Sequence, residues 1–442
     1  MRKGNRFGKI VETDKNHANL LDTIKSKNRQ LKGILNTIGP GILYAGAAIG
    51  ASHLVLSTKA GALYSFRLIW VILLINFFKY PFFEFGYRYV AATGKSLLDG
   101  YKKLGTWAII TFFVLSFCTA IVNFAAVIKI TSDLAAYLFH IQFNSFILST
   151  GLLCLILLML FIGRYAVLDV VMKVMILVLG ILTVVAFSFA LKSGVQAQPG
   201  FIAPDIWDTA GLTFLIVLMG WMPTPIDASV WPSLWALERI KQTNYIPAFK
   251  EYRIDFHLGY FSSALLAVFF LGLGALVMYG TGKQFSNSGL GFSQQLVSLY
   301  SDSIGSWSTQ IIAVVVFITM LSTALTVIDG YPRSLEGSIN ILFPALKKTG
   351  SKLYFFWAVF LSVTAIIIIG FFTKNMVSLL EFATILSFIT APAFALINYK
   401  VVTSNNFPKD LQPPKWLKIL SWAGICFLIA FIIVYIYFNF LS

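Results

Sequence analysis

The chain has 442 residues, of which 58% are hydrophobic and 12% charged, with a formal net charge of +16. That balance excludes an ordinary soluble domain and points to a polytopic membrane protein. Nucleic acid is excluded as the reason for the positive excess, because the cations collect on one side of the predicted spans, where they face lipid headgroups.

Residues 1–33 are polar and basic and read as a mobile cytoplasmic tail, with a short surface helix near 20–31. No cleavable signal peptide is visible there. A spanning helix needs about 20 mostly apolar residues. Eleven segments qualify, near 38–63, 67–91, 106–138, 145–163, 167–191, 210–235, 256–279, 308–328, 353–373, 376–397 and 415–440. Together they make one transmembrane domain over 34–442. Cys118, Cys154 and Cys426 each lie in an apolar run and read as small buried hydrophobes.

With the N-terminus inside, the cytoplasmic segments collect Arg88, Lys95, Lys102, Lys103, Arg239, Lys241, Lys250 and Arg253, besides the tail. The outer loops hold only Arg67, Lys192, Lys283 and Lys374. This bias predicts a cytoplasmic N-terminus and an outer C-terminus in a bacterial plasma membrane.

Five spans (38–191) are followed by five more (210–397), and a last span (415–440) stands apart. An odd number per half inverts the second half relative to the first, the pattern of an inverted repeat. The opening span of each half is interrupted. The first reads GPGILYAGAAIGASHLVLSTKAGA from Gly39, with Gly50, Ala51, Ser52 and His53 at its middle. The sixth carries Met222-Pro223-Thr224-Pro225, and Pro223 and Pro225 each remove a backbone donor and crowd the preceding turn. Unwound backbone at membrane depth is tolerated only where it is buried in protein or lines a watery cavity. Matching breaks in the two halves are the best sequence pointer to a substrate site. The alternative, a small-residue packing face over 46–52, stays open for the first span taken alone.

At these residues the chain resembles the Nramp family of divalent-metal transporters, which have a LeuT-type fold. The family's first span begins Gly-Pro-Gly, continues after eight residues with Asp-Pro-Gly-Asn, and reaches Ala-Gly-Ala. Here Gly39-Pro40-Gly41 is followed at the same spacing by Gly50-Ala51-Ser52-His53, then Ala60-Gly61-Ala62. The family's Met-Pro-His corresponds to Met222-Pro223-Thr224, and its Thr-Asp-Leu-Ala-Glu to Ser132-Asp133-Leu134-Ala135-Ala136. The resemblance implies alternating access with the cargo held between the first and sixth spans. It also implies departures. The metal-binding Asp has become Gly50, the Asn has become His53, the proton-linked His is Thr224, and the second acid of the third span is Ala136. Met222 and Asp133 are kept.

A unit charge about 4 Å from a divalent ion contributes roughly 8 kcal/mol at an effective dielectric near 20, so the missing Asp matters. His53 and Met222, with carbonyls of 44–49 and 218–221, remain as a neutral, borderline-to-soft ligand set that suits a transition metal. Asp227 reads either as a cap for the second half of the sixth span or as a substrate contact. His53 reads as ligand, proton carrier or a histidine bonded to a neighbouring carbonyl. Glu84 and Asp133 are further candidates for proton movement or gating, with ion pairs to Lys79 and Lys129 as the plainer readings. Asp329, ahead of Gly330-Tyr331-Pro332-Arg333, is expected to mark a helix end.

The sequence therefore predicts a secondary transporter of a divalent, transition-type metal, with doubtful proton coupling. The alternative is a small organic solute such as an amino acid or amine, whose anionic group would suit half-helix N-termini. No enzyme is expected. His17, His53, His140 and His257 are scattered, and no nucleophile elbow, metal-protease spacing, nucleotide loop or cofactor motif is present. Lipid, cargo and protons are the expected partners, and oligomeric state is left open.

Overall fold

The computed structural model describes residues 32–441, apart from 143, 196, 199, 283–285, 287, 350–351 and 372–374. The basic tail therefore lies outside the described residues up to 31, and 32–37 form a helical turn leading into the first span. Among the described residues the chain is helical with no strand. The first span is α1 (Pro40–Ala48), a π-helical segment (Ser52–Ser57) and α2 (Thr58–Tyr64). Then come α3 (Ile69–Thr93), α4 (Leu97–Leu104), α5 (Thr106–Leu138) and α6 (Ser145–Ser193). The sixth span is α7 (Thr209–Trp221), a 3-10 turn (Ile226–Val230) and α8 (Trp231–Thr243). The chain continues as α9 (Phe249–Val277), α10 (Gly289–Ile304), α11 (Thr309–Leu342), α12 (Lys352–Phe371), α13 (Met376–Thr403) and α14 (Lys415–Ile436).

Ten stretches among the described residues are long and apolar enough to cross a bilayer. Eleven were expected from the sequence. The first stretch, Ser52–Thr93, runs through a turn at Ser65 (φ 55) that separates α2 from α3, while α1 alone is too short to qualify. Two boundaries differ for identifiable reasons. Helical backbone continues from Ser145 to Ser193 through the expected inner turn at 164–166, where Gly163 is the lone weak helix former and no proline stops the chain. The eighth span does not end at Asp329; α11 carries Pro332 inside it and runs on to Leu342.

Outward-facing Leu73, Phe77, Leu158, Ile162, Ile419 and Ile433 give the molecule an apolar exterior suited to lipid rather than water. Cys118, Cys154 and Cys426 share that surface, so they are exposed rather than buried; among apolar neighbours a thiol is compatible with either side of a lipid-facing helix. Inside, α5 packs along α11 and α13, α9 packs along α1 and α2, and α7 lies against α13. The broken spans are thus held between continuous helices.

Asp255 on α9 fixes the start of α1. Its Oδ1 accepts from Gly39 N at 3.1 Å and its Oδ2 from Gly41 N at 2.7 Å, which satisfies two of the donors that open a helix. Arg239 at the end of α8 donates from Nε to Asn36 O at 2.8 Å, tying the preceding turn to the same face. At the far end, Lys59 on α2 pairs with Glu381 on α13 at 3.4 Å. The approach of α1 to α9 is close enough that a Cβ on Gly259 would fall on the Gly41 carbonyl oxygen, and one on Gly41 on the Asp255 carbonyl oxygen. Overpacking of this kind typically costs about 1–3 kcal/mol. Gly259→Val should lower the melting temperature of the purified protein in detergent; an unchanged melt would show that these helices do not meet as described.

Candidate functional site

The first break follows from residues that neither hold a helix firmly nor block an approach. α1 ends at Ala48, and Ile49 (φ −80, ψ 74) leaves the helical region. Gly50 sits where a Cβ would strike the Thr323 hydroxyl of α11. Thr323 Oγ1 donates to Gly46 O at 2.9 Å and stands 3.4 Å from Ile49 O, so the neighbouring helix caps the carbonyls released where α1 stops. Ser52 Oγ lies 2.8 Å from Ala48 O.

The second break follows from the prolines. α7 stops at Trp221, Met222 is extended (φ −93, ψ 122), and Pro225 (φ −55, ψ 142) leads into the 3-10 turn. The carbonyls left at the end of α7 receive an ammonium. Lys79 on α3, fully buried, donates to Met219 O at 2.8 Å and Gly220 O at 3.0 Å, with Thr224 O at 3.4 Å. Leaving a buried carbonyl unpaired costs about 1–3 kcal/mol, so this lysine and Thr323 are what allow both spans to unwind.

Between the breaks lies a cavity of about 30 Å³, bordered by Ala51 and Ser52 on one side and Pro223, Thr224 and Pro225 on the other. On the same measure about 10–15 Å³ admits one water. Trp221, Trp231 and Tyr331 supply aromatic walls, and Asn123 and Thr323 add polar groups. Asn123 on α5 donates from Nδ2 to Tyr331 OH at 2.5 Å, and Trp221 Nε1 donates to Ser387 Oγ at 3.1 Å.

The structure brings only some of the predicted residues to this cavity. Ser52 and Thr224 line it, and Gly50 abuts it through Thr323. Met222 is buried but does not line it. His53 is also buried and lies outside the lining, with Nε2 2.9 Å from Ser263 O and Nδ1 2.7 Å from Ser52 Oγ. A carbonyl only accepts, so Nε2 carries a proton, while the Ser52 hydroxyl beside Nδ1 donates its own hydrogen to Ala48 O. Asp227 makes no capping bond to α8; its Oδ2 accepts from Thr119 Oγ1 at 2.6 Å, and Tyr331 is a further side-chain partner of the carboxylate. Glu84 bonds Arg88, not Lys79, with Nε–Oε2 at 2.8 Å, because Lys79 turns to the α7 carbonyls. Asp133 pairs with Lys129 at 2.5 Å and also accepts from Ser145 Oγ at 3.2 Å. Asp329 is held by Arg333 and by Trp235 Nε1 at 2.8 Å, away from the cavity. Among the described residues no cluster of three His, Cys, Asp or Glu side chains could hold a metal.

Asn123, Trp231, Tyr331 and Lys79 were not among the predicted site residues. Two of them carried a signal. Asn123 is a lone amide in an apolar helix, and Lys79 is a cation in mid-span; each is expensive in lipid unless it faces the protein interior. Nothing in the sequence distinguishes Trp231 or Tyr331 from core aromatics.

The family model described as natural resistance-associated macrophage protein-like, Nramp, matches residues 41–438. The chain belongs to the Nramp family. With its apolar helices, membership makes this Nramp protein a multi-pass integral membrane protein. A protein of Pasteurella multocida strain Pm70, described as uncharacterized, is 35% identical over 405 residues, covering 90% of this chain and 91% of its own. Among solved structures, a variant of the Eremococcus coleocola manganese transporter aligns with a TM-score of 0.71 at 12% identity, over 92% of this chain and 89% of that one. MhsT in complex with L-phenylalanine aligns with a TM-score of 0.59 at 14% identity, over 91% of this chain and 98% of that one. At such identities the likenesses establish the LeuT-type fold of this Nramp protein.

Because Thr323 donates to a released α1 carbonyl from a neighbouring helix, Thr323→Val should destabilise the protein by about 1–3 kcal/mol. Amide exchange around 46–53 should rise with it. Unchanged exchange there would show that the first break holds without this hydroxyl.

Proposed function

We propose that this Nramp protein is a secondary transporter that carries a small cargo by alternating access, with the cavity between the two breaks as its cargo site. The observation that carries this reading is the shared wall: Ala51 and Ser52 from the first break and Thr224 and Pro225 from the second border one space. Cargo held there is gripped by both halves of the repeat, which is what a rocking mechanism requires. The lysine and arginine bias supports a cytoplasmic N-terminus and an outer C-terminus in a bacterial plasma membrane.

Nramp membership, and the manganese transporters that share the fold, support a divalent transition metal as the cargo. In this arrangement its donors would be the Ser52, Thr224 and Thr323 hydroxyls and the Asn123 amide oxygen, all along the cavity. His53 and Met222 would join only if the half-helices turn. Proton coupling through the positions held by Thr224 and Ala136 is not expected, since neither side chain titrates. His53, Asp133 and Glu84 are the titratable groups left for that role.

One observation favours the second reading, a small organic solute such as an amino acid or amine. Among the described residues, the cavity wall carries no Asp, Glu or His and is flanked by Trp221, Trp231 and Tyr331. Uptake into proteoliposomes separates the two. Under the metal reading, Mn²⁺, Fe²⁺ or Cd²⁺ accumulates; under the other, a solute accumulates whether or not metal is present. In either case Asn123→Ala should cut uptake about tenfold, the equivalent of about 1.4 kcal/mol. Uptake of neither class, with wild-type and variant alike, would remove the transporter reading.

A further inference from the structure

Lys79 is a buried charge that neither cargo reading uses. It lies within α3, is fully buried, and its ammonium has Met219 O at 2.8 Å, Gly220 O at 3.0 Å and Thr224 O at 3.4 Å. An ammonium carries three protons and no acceptor, and three carbonyls surround this one. Two of them belong to the last turn of α7, where the helix leaves its carbonyls unpaired and its dipole is negative; the third comes from the unwound stretch beyond. Carbonyls converging at the end of a broken transporter helix form a cation site. Here the cation arrives on the side chain of a neighbouring helix.

The surroundings fit an enclosed ion better than an ordinary ion pair. Asp227 is the acid that faces Lys79 electrostatically, yet its carboxylate is hydrogen-bonded by Thr119 and Tyr331, and the ammonium donates to backbone oxygens. Glu84, on the same helix, is occupied by Arg88. At the other break, Thr323 caps the carbonyls in the same way without any charge. Carbonyls at both breaks are therefore met by side chains of the protein itself.

We propose that Lys79 is a tethered cation that permanently fills a monovalent-cation site at the break of the sixth span, so that this break is held together with no free ion bound to the Met219, Gly220 and Thr224 carbonyls. The inference rests on the alternating-access reading of the site but not on either cargo. A metal cargo would have to find its donors elsewhere along the cavity.

The test uses the purified full-length protein in detergent and reads its melting temperature in choline chloride, NaCl, KCl or methylammonium chloride at equal ionic strength. In the wild type, replacing choline by any of the three should leave the melt unchanged. Lys79→Ala should melt lower in choline and recover at least half of the loss, in a concentration-dependent way, with methylammonium or Na⁺. Lys79→Gln, which keeps most of the stem and a donor, should respond in the same direction if the alanine variant does not fold. Variants that no cation rescues beyond the wild-type response would overturn the proposal. So would a wild type that responds as strongly as the variants, and this swap decides the matter if neither variant can be purified. Because the readout is binding rather than transport, its failure is distinct from a failure of uptake.

Discussion

Every peptide group released inside a membrane protein needs a partner, because lipid offers none. That constraint organises this molecule. Two of its spans stop halfway, and each stop frees carbonyls that a continuous helix would have used. Lys79 and Thr323 meet them, one from α3 and one from α11. The continuous helices around the breaks are thus more than a frame: they carry the donors that make unwinding tolerable. Once the carbonyls are answered, the space between the breaks is left to side chains, and these are hydroxyl, amide and aromatic.

Much of the architecture was legible because it depends on strong, local signals. Pro223 and Pro225 cannot continue a helix, and Gly50 with Ala51 and Ser52 weakens one, so both breaks could be placed to within a few residues. The frame around Gly39-Pro40-Gly41 and Met222-Pro223 was enough to suggest the family. The site itself was less legible. Its wall is assembled from α5, α11 and the two breaks, so Asn123 meets Tyr331 from 208 residues away. Spacing along one helix cannot predict such a meeting. Where a nearby partner existed, local reasoning chose among i,i+4 neighbours and could choose wrongly: Glu84 bonds Arg88, while Lys79 reaches 140 residues ahead in the chain. Pro332 misled in the opposite direction. A proline at that point usually ends a helix, but here α11 accommodates it and continues.

His53 shows how position and role can part. It stands in the slot that the Nramp resemblance assigns to a metal ligand, at a break in mid-membrane. Yet its ring lies between Ser52 and the Ser263 carbonyl. That places it in the contact between the first span and α9 rather than at the cavity. The departures from the family pattern thus amount to more than the loss of one acid. The group that replaces the neighbouring asparagine joins the protein's own packing, and the polar character of the wall passes to Asn123, Thr224 and Tyr331.

The two halves of the first span answer to different neighbours. The first piece, α1, is clasped at its beginning by the Asp255 carboxylate of α9, and the second is linked through Lys59 of α2 to Glu381 of α13. Between them the regular α-helical ladder is interrupted at Ile49 and Gly50. A rigid rod would transmit any tilt from one end to the other. A rod jointed at its middle lets one end loosen while the other stays fastened, so a pull at the Asp255 clasp need not reach the Glu381 link.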